Sequence, residues 1–162
     1  MPAIEIRESE QQREANLAVK DWLWRYRRAK LELRRLDGEY RELISVQEAA
    51  SAVQYDGMPK ASGNISDLSN LMIARDKMLT RLIRAKEEMT RAYIEITQAI
   101  DALDHSVERD IMSYRYIQLV SGYGVMDWKD IASRVGYSTI HVKRVHGIAL
   151  CKLSKMILDD TK

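Results

Sequence analysis

From Val19 onward the seam positions step by alternating threes and fours: Val19, Trp22, Tyr26, Ala29, Leu33, Leu36, Tyr40, Leu43, Gln47 and Ala50. A second series runs Leu68, Met72, Arg75, Leu79, Leu82, Lys86, Met89, Tyr93, Ile96, Ile100 and Leu103. A mean step of about 3.5 residues is the seam of a coiled coil. Gln47 interrupts the first seam, and Arg75 and Lys86 interrupt the second. Leu71, Met78 and Ala85 widen the second stripe, which is therefore expected to meet more than one neighbour. Between the two series lies YDGMPKASGNISD (Tyr55–Asp67), where Gly57, Pro59 and Gly63 break the heptads and predict a loop over 55–66. Ser66 or Asp67 would cap the helix that follows.

The flanking helices, about 17–54 and 67–104, would each be about 57 Å long. Equal arms around one loop predict a long antiparallel, coiled-coil-like helical hairpin over residues 17–105, serving also as the oligomerisation region, with residues 1–16 as an N-terminal tail. That register would bring Arg27, Arg28, Arg34 and Arg35 toward Glu87, Glu88 and Glu95. Trp24 falls on the far side of the Trp22–Tyr26 seam and is expected to pack on a second protomer.

The heptads stop at Asp104-His105-Ser106, where Asp104 or Ser106 can cap a new helix carrying Val107, Ile111, Met112, Tyr114 and Ile117. After a glycine-containing connection, SGYGVM, comes DWKDIASRVGYSTIHVKRVHGIAL (127–150). Asp127 suits the cap of a helix ending at Val135, with Trp128, Ile131 and Val135 inward and Ala132 where a second helix must cross closely. Gly136 ends it, because a glycine adopts positive φ without penalty. Ser138 caps the next helix, whose Val142 and Val145 return to the core. Ala, Gly four residues later and valines six and nine residues after that form a helix-turn-helix pattern.

The inward valines decide what faces out. Thr139, Ile140, Lys143, Arg144 and Gly147 project from the N-terminal half of the last helix, the half that enters a major groove in such motifs. Lys143 and Arg144 can donate to guanine O6 and N7, or to phosphates, and Thr139 can meet a thymine methyl or a base edge. Trp128, Lys129, Tyr137, Ser138 and His141 sit where phosphate-positioning contacts are expected, and Gly147 leaves room for close backbone approach.

Charge sharpens this picture. The net charge of +2 is nearly neutral, but Lys129, Arg134, Lys143, Arg144, Lys152 and Lys155 face a single acid, Asp130, between Trp128 and Lys155. A polyanion would find this region first. A second basic block lies at 24–35, whose arginines are expected to pair within the hairpin and in solvent rather than on DNA. Composition adds little more: 162 residues, 46% hydrophobic and 31% charged, with two prolines and no Phe, suit an all-α protein. One cysteine, Cys151, excludes an intrachain disulfide. No apolar signal region or membrane-length run appears, so a cytoplasmic protein without membrane contact is expected.

The stretches ERDIMSYRYIQL (108–119) and WKDIASRVGYSTIHVKRVHGIALCKL (128–153) resemble the promoter-binding C-terminal region of bacterial sigma factors. There an E-R-x-x-x-x-x-R-Y helix precedes an E-I-A…G-x-S…V-K…A-L motif, and Asp130 takes the acidic position. With the DGMPKASG segment (56–63) ahead of it, the arrangement is similar to phage late-gene transcription regulators of the ArpU/RinA type. The resemblance implies a C-terminal sigma-like helix-turn-helix over 106–162 that activates phage or prophage genes for packaging, morphogenesis or lysis. It implies Thr139, Ile140, Lys143 and Arg144 as the DNA readers and duplex DNA as the partner; the seams point to a second copy of the chain, and whether an activator of this kind also contacts RNA polymerase is left open by the sequence. Two departures stand out: SGYGVM is longer than the sigma connection, and the polymerase-core-binding regions have no counterpart.

Catalytic chemistry is not expected. His141, His146 and Cys151 are five residues apart each time, which turns successive side chains about 140° around a helix and prevents a shared metal face. Gly57–Gly63 lacks the Gly-Lys-Ser/Thr of a P-loop. No cofactor is expected. The alternatives to a regulator are a DNA-recognition subunit of a phage packaging machine and a helical scaffold.

Overall fold

A computed structural model describes residues 2–52 and 64–159, and among these the protein is all-α. Its helices are α1 (Pro2–Leu23), α2 (Arg25–Ala52), α3 (Asn64–Asp101), α4 (Ser106–Tyr116), α5 (Trp128–Val135) and α6 (Thr139–Asp159). The expected loop over 55–66 lies largely outside the described residues. Helix α3 begins at Asn64, ahead of the expected caps Ser66 and Asp67. No described helix is long and apolar enough to cross a membrane.

Residues 2–16, expected as a tail, are the first turns of α1. The polar side chains that hide this helix from a hydrophobic pattern are what dock it on α6. Gln12 Nε2 donates to Asn16 Oδ1 (2.9 Å) and to Ser154 Oγ (3.1 Å), and Asn16 Nδ2 donates to Cys151 Sγ (3.4 Å). Trp24 alone separates α1 from α2. The hydrogen bonds Trp24 N–H to Lys20 O and Arg28 N–H to Trp24 O, both 3.0 Å, carry the helical ladder across it.

The chain divides into two compact units, one from Ala29 to Met89 and the other from the residues up to Arg28 together with those from Thr90 on. The unit holding α4–α6 is therefore larger than the expected 106–162. In it Val19, Leu23, Ala92, Ile96, Ile100, Leu103, Ile111, Met112, Tyr116, Ile131, Val142, Ala149, Leu150 and Leu153 are buried. Helix α6 packs against α1, α4 and α5. The α4 cap differs from expectation: the N-cap is His105, without a side-chain hydrogen bond, while Asp104 lies 3.9 Å from Lys152 Nζ.

In the 29–89 unit, Leu36 is buried and Ala29, Leu33, Tyr40 and Leu43 are half-buried, as the α2 seam predicts. Helix α3 turns a different face inward. Leu71, Arg75, Met78, Leu82, Ala85 and Met89 are half-buried, whereas the seam positions Met72 and Leu79 are exposed, as is Ile83. Both stripes step by threes and fours, so spacing alone could not choose between them. Two of the arginines, Arg28 and Arg35, find nearer partners than expected. Arg35 pairs with Glu32 and Glu39 one turn away on α2, and Arg41 with Asp37 at 2.8 Å. In the other unit Arg28 pairs with Asp21, while Arg25 reaches Glu95 at 2.6 Å.

Candidate nucleic-acid interface

Helices α5 and α6 are joined by three residues. Asp127 caps α5, its carboxylate accepting from the Lys129 N–H at 3.5 Å. Gly136 ends α5 at φ 74°, where a side chain is strained, and the Gly136 and Tyr137 N–H groups both donate to Ala132 O. Ser138 Oγ then accepts the His141 N–H at 3.2 Å, satisfying one of the orphan donors that open α6. Ala132 is buried where the two helices pack, and with Ile111, Met126, Ile131 and Val142 it forms a core flanked by Trp128, Val135 and Val145.

Burying Val142, His146 and Ala149 leaves the opposite side of α6 in solvent. Ile140 is 83% exposed, an unusual place for an isoleucine, and His141, Lys143 and Arg144 are exposed beside it. Tyr137, Ser138 and Lys129 are exposed too, and Thr139 and Gly147 half-buried. A Cβ added at Gly147 would meet nothing within 4 Å. No packing among the described residues asks for a glycine there, although it costs about 1 kcal/mol relative to alanine in a helix. No Asp or Glu occurs from Ile131 to Leu158, so the face carries one sign of charge.

Trp128 is placed differently from its expected phosphate role. It is half-buried, with the Arg115 guanidinium 4.4 Å over its ring and the His146 ring edge-on at 4.9 Å. Lys152 also leaves the basic set, because its Nζ is 2.8 and 2.9 Å from the two carboxylate oxygens of the buried Glu108. Arg27, from the 24–35 block, donates Nε to Tyr123 O at 2.9 Å and ties down the connection before α5. That connection closes on itself through paired hydrogen bonds between Val120 and Gly124. Trp24, expected on a second protomer, is half-buried and has a partner within its own chain, the Tyr116 ring at 4.6 Å.

The residues carrying the E-R-x-x-x-x-x-R-Y resemblance thus hold the exposed face from behind. Glu108 binds Lys152, and Arg109 Nη1 donates to Leu103 O at 2.5 Å. Arg115 donates Nη1 to Met126 O at 2.6 Å while stacking on Trp128 and, at 5.7 Å, on Trp24. Tyr116 shares a 2.9 Å hydrogen bond with His146 Nε2, and burial pushes the phenol up to about 12. The spacing of these residues announced a helix, but partners such as Trp24, Trp128 on α5, and His146 and Lys152 on α6 left no local signal.

His146 carries a pH dependence. Burial pushes its imidazole down to about 4, and the Lys20 and Arg115 charges add to the effect. A base depressed on folding contributes its full stability above the unfolded value near 6.5 and loses it as pH falls toward 4. The loss across that window is expected to approach about 3 kcal/mol. Urea midpoints measured from pH 7 to pH 4 should fall accordingly, and His146→Leu should flatten that slope whatever it does to stability at pH 7.

No protein-family model, curated protein or solved structure matches the chain.

Proposed function

We propose that the chain is a sequence-specific duplex-DNA-binding transcription regulator of the ArpU/RinA type, activating late genes of a phage or prophage in the cytoplasm of its bacterial host. In this reading α5 and α6 are a sigma-like helix-turn-helix, with α6 as the helix that enters the major groove. Residues 17–105 form the hairpin that carries and assembles it. Arg144 and Lys143 read guanine edges or phosphates, Thr139 and Ile140 read a thymine methyl or base edge, and Lys129, Tyr137, Ser138 and His141 position phosphates. Gly147 lets the duplex backbone come close. RNA polymerase is the natural second partner of an activator built this way.

The observation that carries the reading is the outward face of α6. An isoleucine at 83% exposure stands with Lys143 and Arg144 on a helix whose other side is buried, next to a three-residue turn from α5. An exposed apolar side chain among cations, on a stretch without Asp or Glu from Ile131 to Leu158, suits a groove of methyls and phosphates better than it suits water.

The test is affinity selection of fragments of the source replicon by the purified protein, with competitor DNA present. Recovery of one intergenic site, repeated or inverted, is the expected result and names the regulated operon. Uniform weak recovery at every salt concentration would remove the site-specific role.

A further inference from the structure

Helix α3 presents a second apolar face that nothing among the described residues of the 29–89 unit covers. Met72, Leu79 and Ile83 are 46%, 42% and 52% exposed. At about 100° per residue they fall within roughly 20° of one line along the helix. The face turned inward, through Leu71, Met78, Leu82 and Ala85, lies about 100° away. A helix with two such stripes suits two neighbours, and α2 shares its unit.

The charges beside the stripe say what the other neighbour is. Arg75 and Asp76 straddle it at one height, the half-buried arginine on one flank and the aspartate on the other, and in the single chain they lie 3.4 Å from each other, a pair that a second copy would exchange for pairs across the seam. Eleven residues later, three turns up, Lys86 and Glu87 straddle it in the same order. One flank of the stripe is therefore cationic and the other anionic at both levels. Two parallel helices related by a twofold axis along their length bring opposite flanks together at equal height. Two antiparallel helices bring like flanks together instead, setting Arg75 against Lys86 and Asp76 against Glu87.

The geometry points to a second copy of this chain as the occupant, pairing through α3 in parallel and in register. Met72, Leu79 and Ile83 meet their own counterparts along the axis. Arg75 faces Asp76 of the other copy, and Lys86 faces Glu87, on both sides of the seam. The flanking charges set orientation more than affinity, since each exposed pair contributes little, whereas like charges in the antiparallel alternative all repel. This inference rests on α3 alone and stands whether or not the α6 face reads DNA.

Light scattering and sedimentation at tens of micromolar should give a mass twice the 18.8 kDa of the chain. Leu79→Glu with Ile83→Glu should give a monomer of unchanged helical content, because both positions are already in solvent in the single chain. Lys86→Glu should weaken the dimer about tenfold at low salt and less at high salt. Lys86→Glu combined with Glu87→Lys should restore it, since the swapped charges again face opposites.

Orientation is read in a Cys151→Ser background carrying Met72→Cys or Ile83→Cys. In the parallel register each variant cross-links to itself on oxidation. An antiparallel pair allows self-cross-linking at no more than one of two positions so far apart. A monomeric wild type, a dimer indifferent to the Leu79/Ile83 variant, or self-cross-linking at one position only would each overturn the inference. If the double-glutamate chain loses helix, the cysteine variants decide by themselves. DNA affinity enters none of these readouts, so failure here leaves the α6 reading untouched, and the reverse holds too.

Discussion

On the proposed DNA-reading role of α6, Arg144→Ala is expected to weaken binding at the preferred duplex site by about 1–3 kcal/mol, roughly 5- to 150-fold, while binding to random duplex falls much less. The difference follows from what a guanidinium does in each setting. On a specific site it spans two acceptors of one guanine; on random DNA it is one cation among several near phosphates. Arg144 is exposed on α6, so its removal leaves the buried face of the helix intact. Lys129→Ala, on α5, should instead lower affinity for both kinds of DNA alike and reduce the salt slope by about one. Fluorescence anisotropy titrations at two salt concentrations, with specific and scrambled duplexes, separate the two behaviours. Equal losses on both duplexes for Arg144→Ala would take that residue out of base reading.

Lys152→Met is expected to be the most destabilising single change at the surface of α6, costing about 3–5 kcal/mol. It strands the Glu108 carboxylate, whose side chain is only 6% exposed and for which Lys152 supplies the hydrogen bonds. Glu108→Leu should cost less. The lysine head is 28% exposed, reaches water along its flexible stem and keeps Asp104 at 3.9 Å. The double variant Glu108→Leu/Lys152→Met should recover part of the loss, because no buried charge is left uncompensated. Urea denaturation of the four proteins forms a double-mutant cycle. A Lys152→Met cost no greater than that of Glu108→Leu would mean that water already reaches the carboxylate.

Features completed within a few residues were legible in the sequence. Asp127, Gly136 and Ser138 each act on a backbone group two to four positions away, so residue type and spacing suffice to place them. Val142 faces inward for the same reason: once the turn is fixed, helical periodicity dictates its side. Long-range partners were not legible. Glu108 and Lys152 are 44 residues apart, and Tyr116 and His146 are 30 apart. Each reads in isolation as an ordinary charged or polar position. Trp24 looked like a surface anchor because its ring partner, Tyr116, belongs to a helix that begins far downstream.

The helical state of the residues before Leu17 was not legible, and among the described side chains polar bonds from Gln12 and Asn16 tie this part of α1 to α6. On α3 the pattern was visible but degenerate. Two stripes satisfied the same spacing, and only packing within the chain shows which one it uses for itself.

The stacking of Arg115 also decides what light can report about this protein. All three of its tryptophans lie under a guanidinium: Trp22 beneath Arg25 at 5.9 Å, and Trp24 and Trp128 sharing Arg115. None stands on the exposed face of α6. Intrinsic emission therefore watches the junction of α1, α2, α4 and α5, with cations as its neighbours. Unfolding will change the signal sharply, whereas a ligand that occupies α6 without disturbing that junction will be optically silent and must carry its own label.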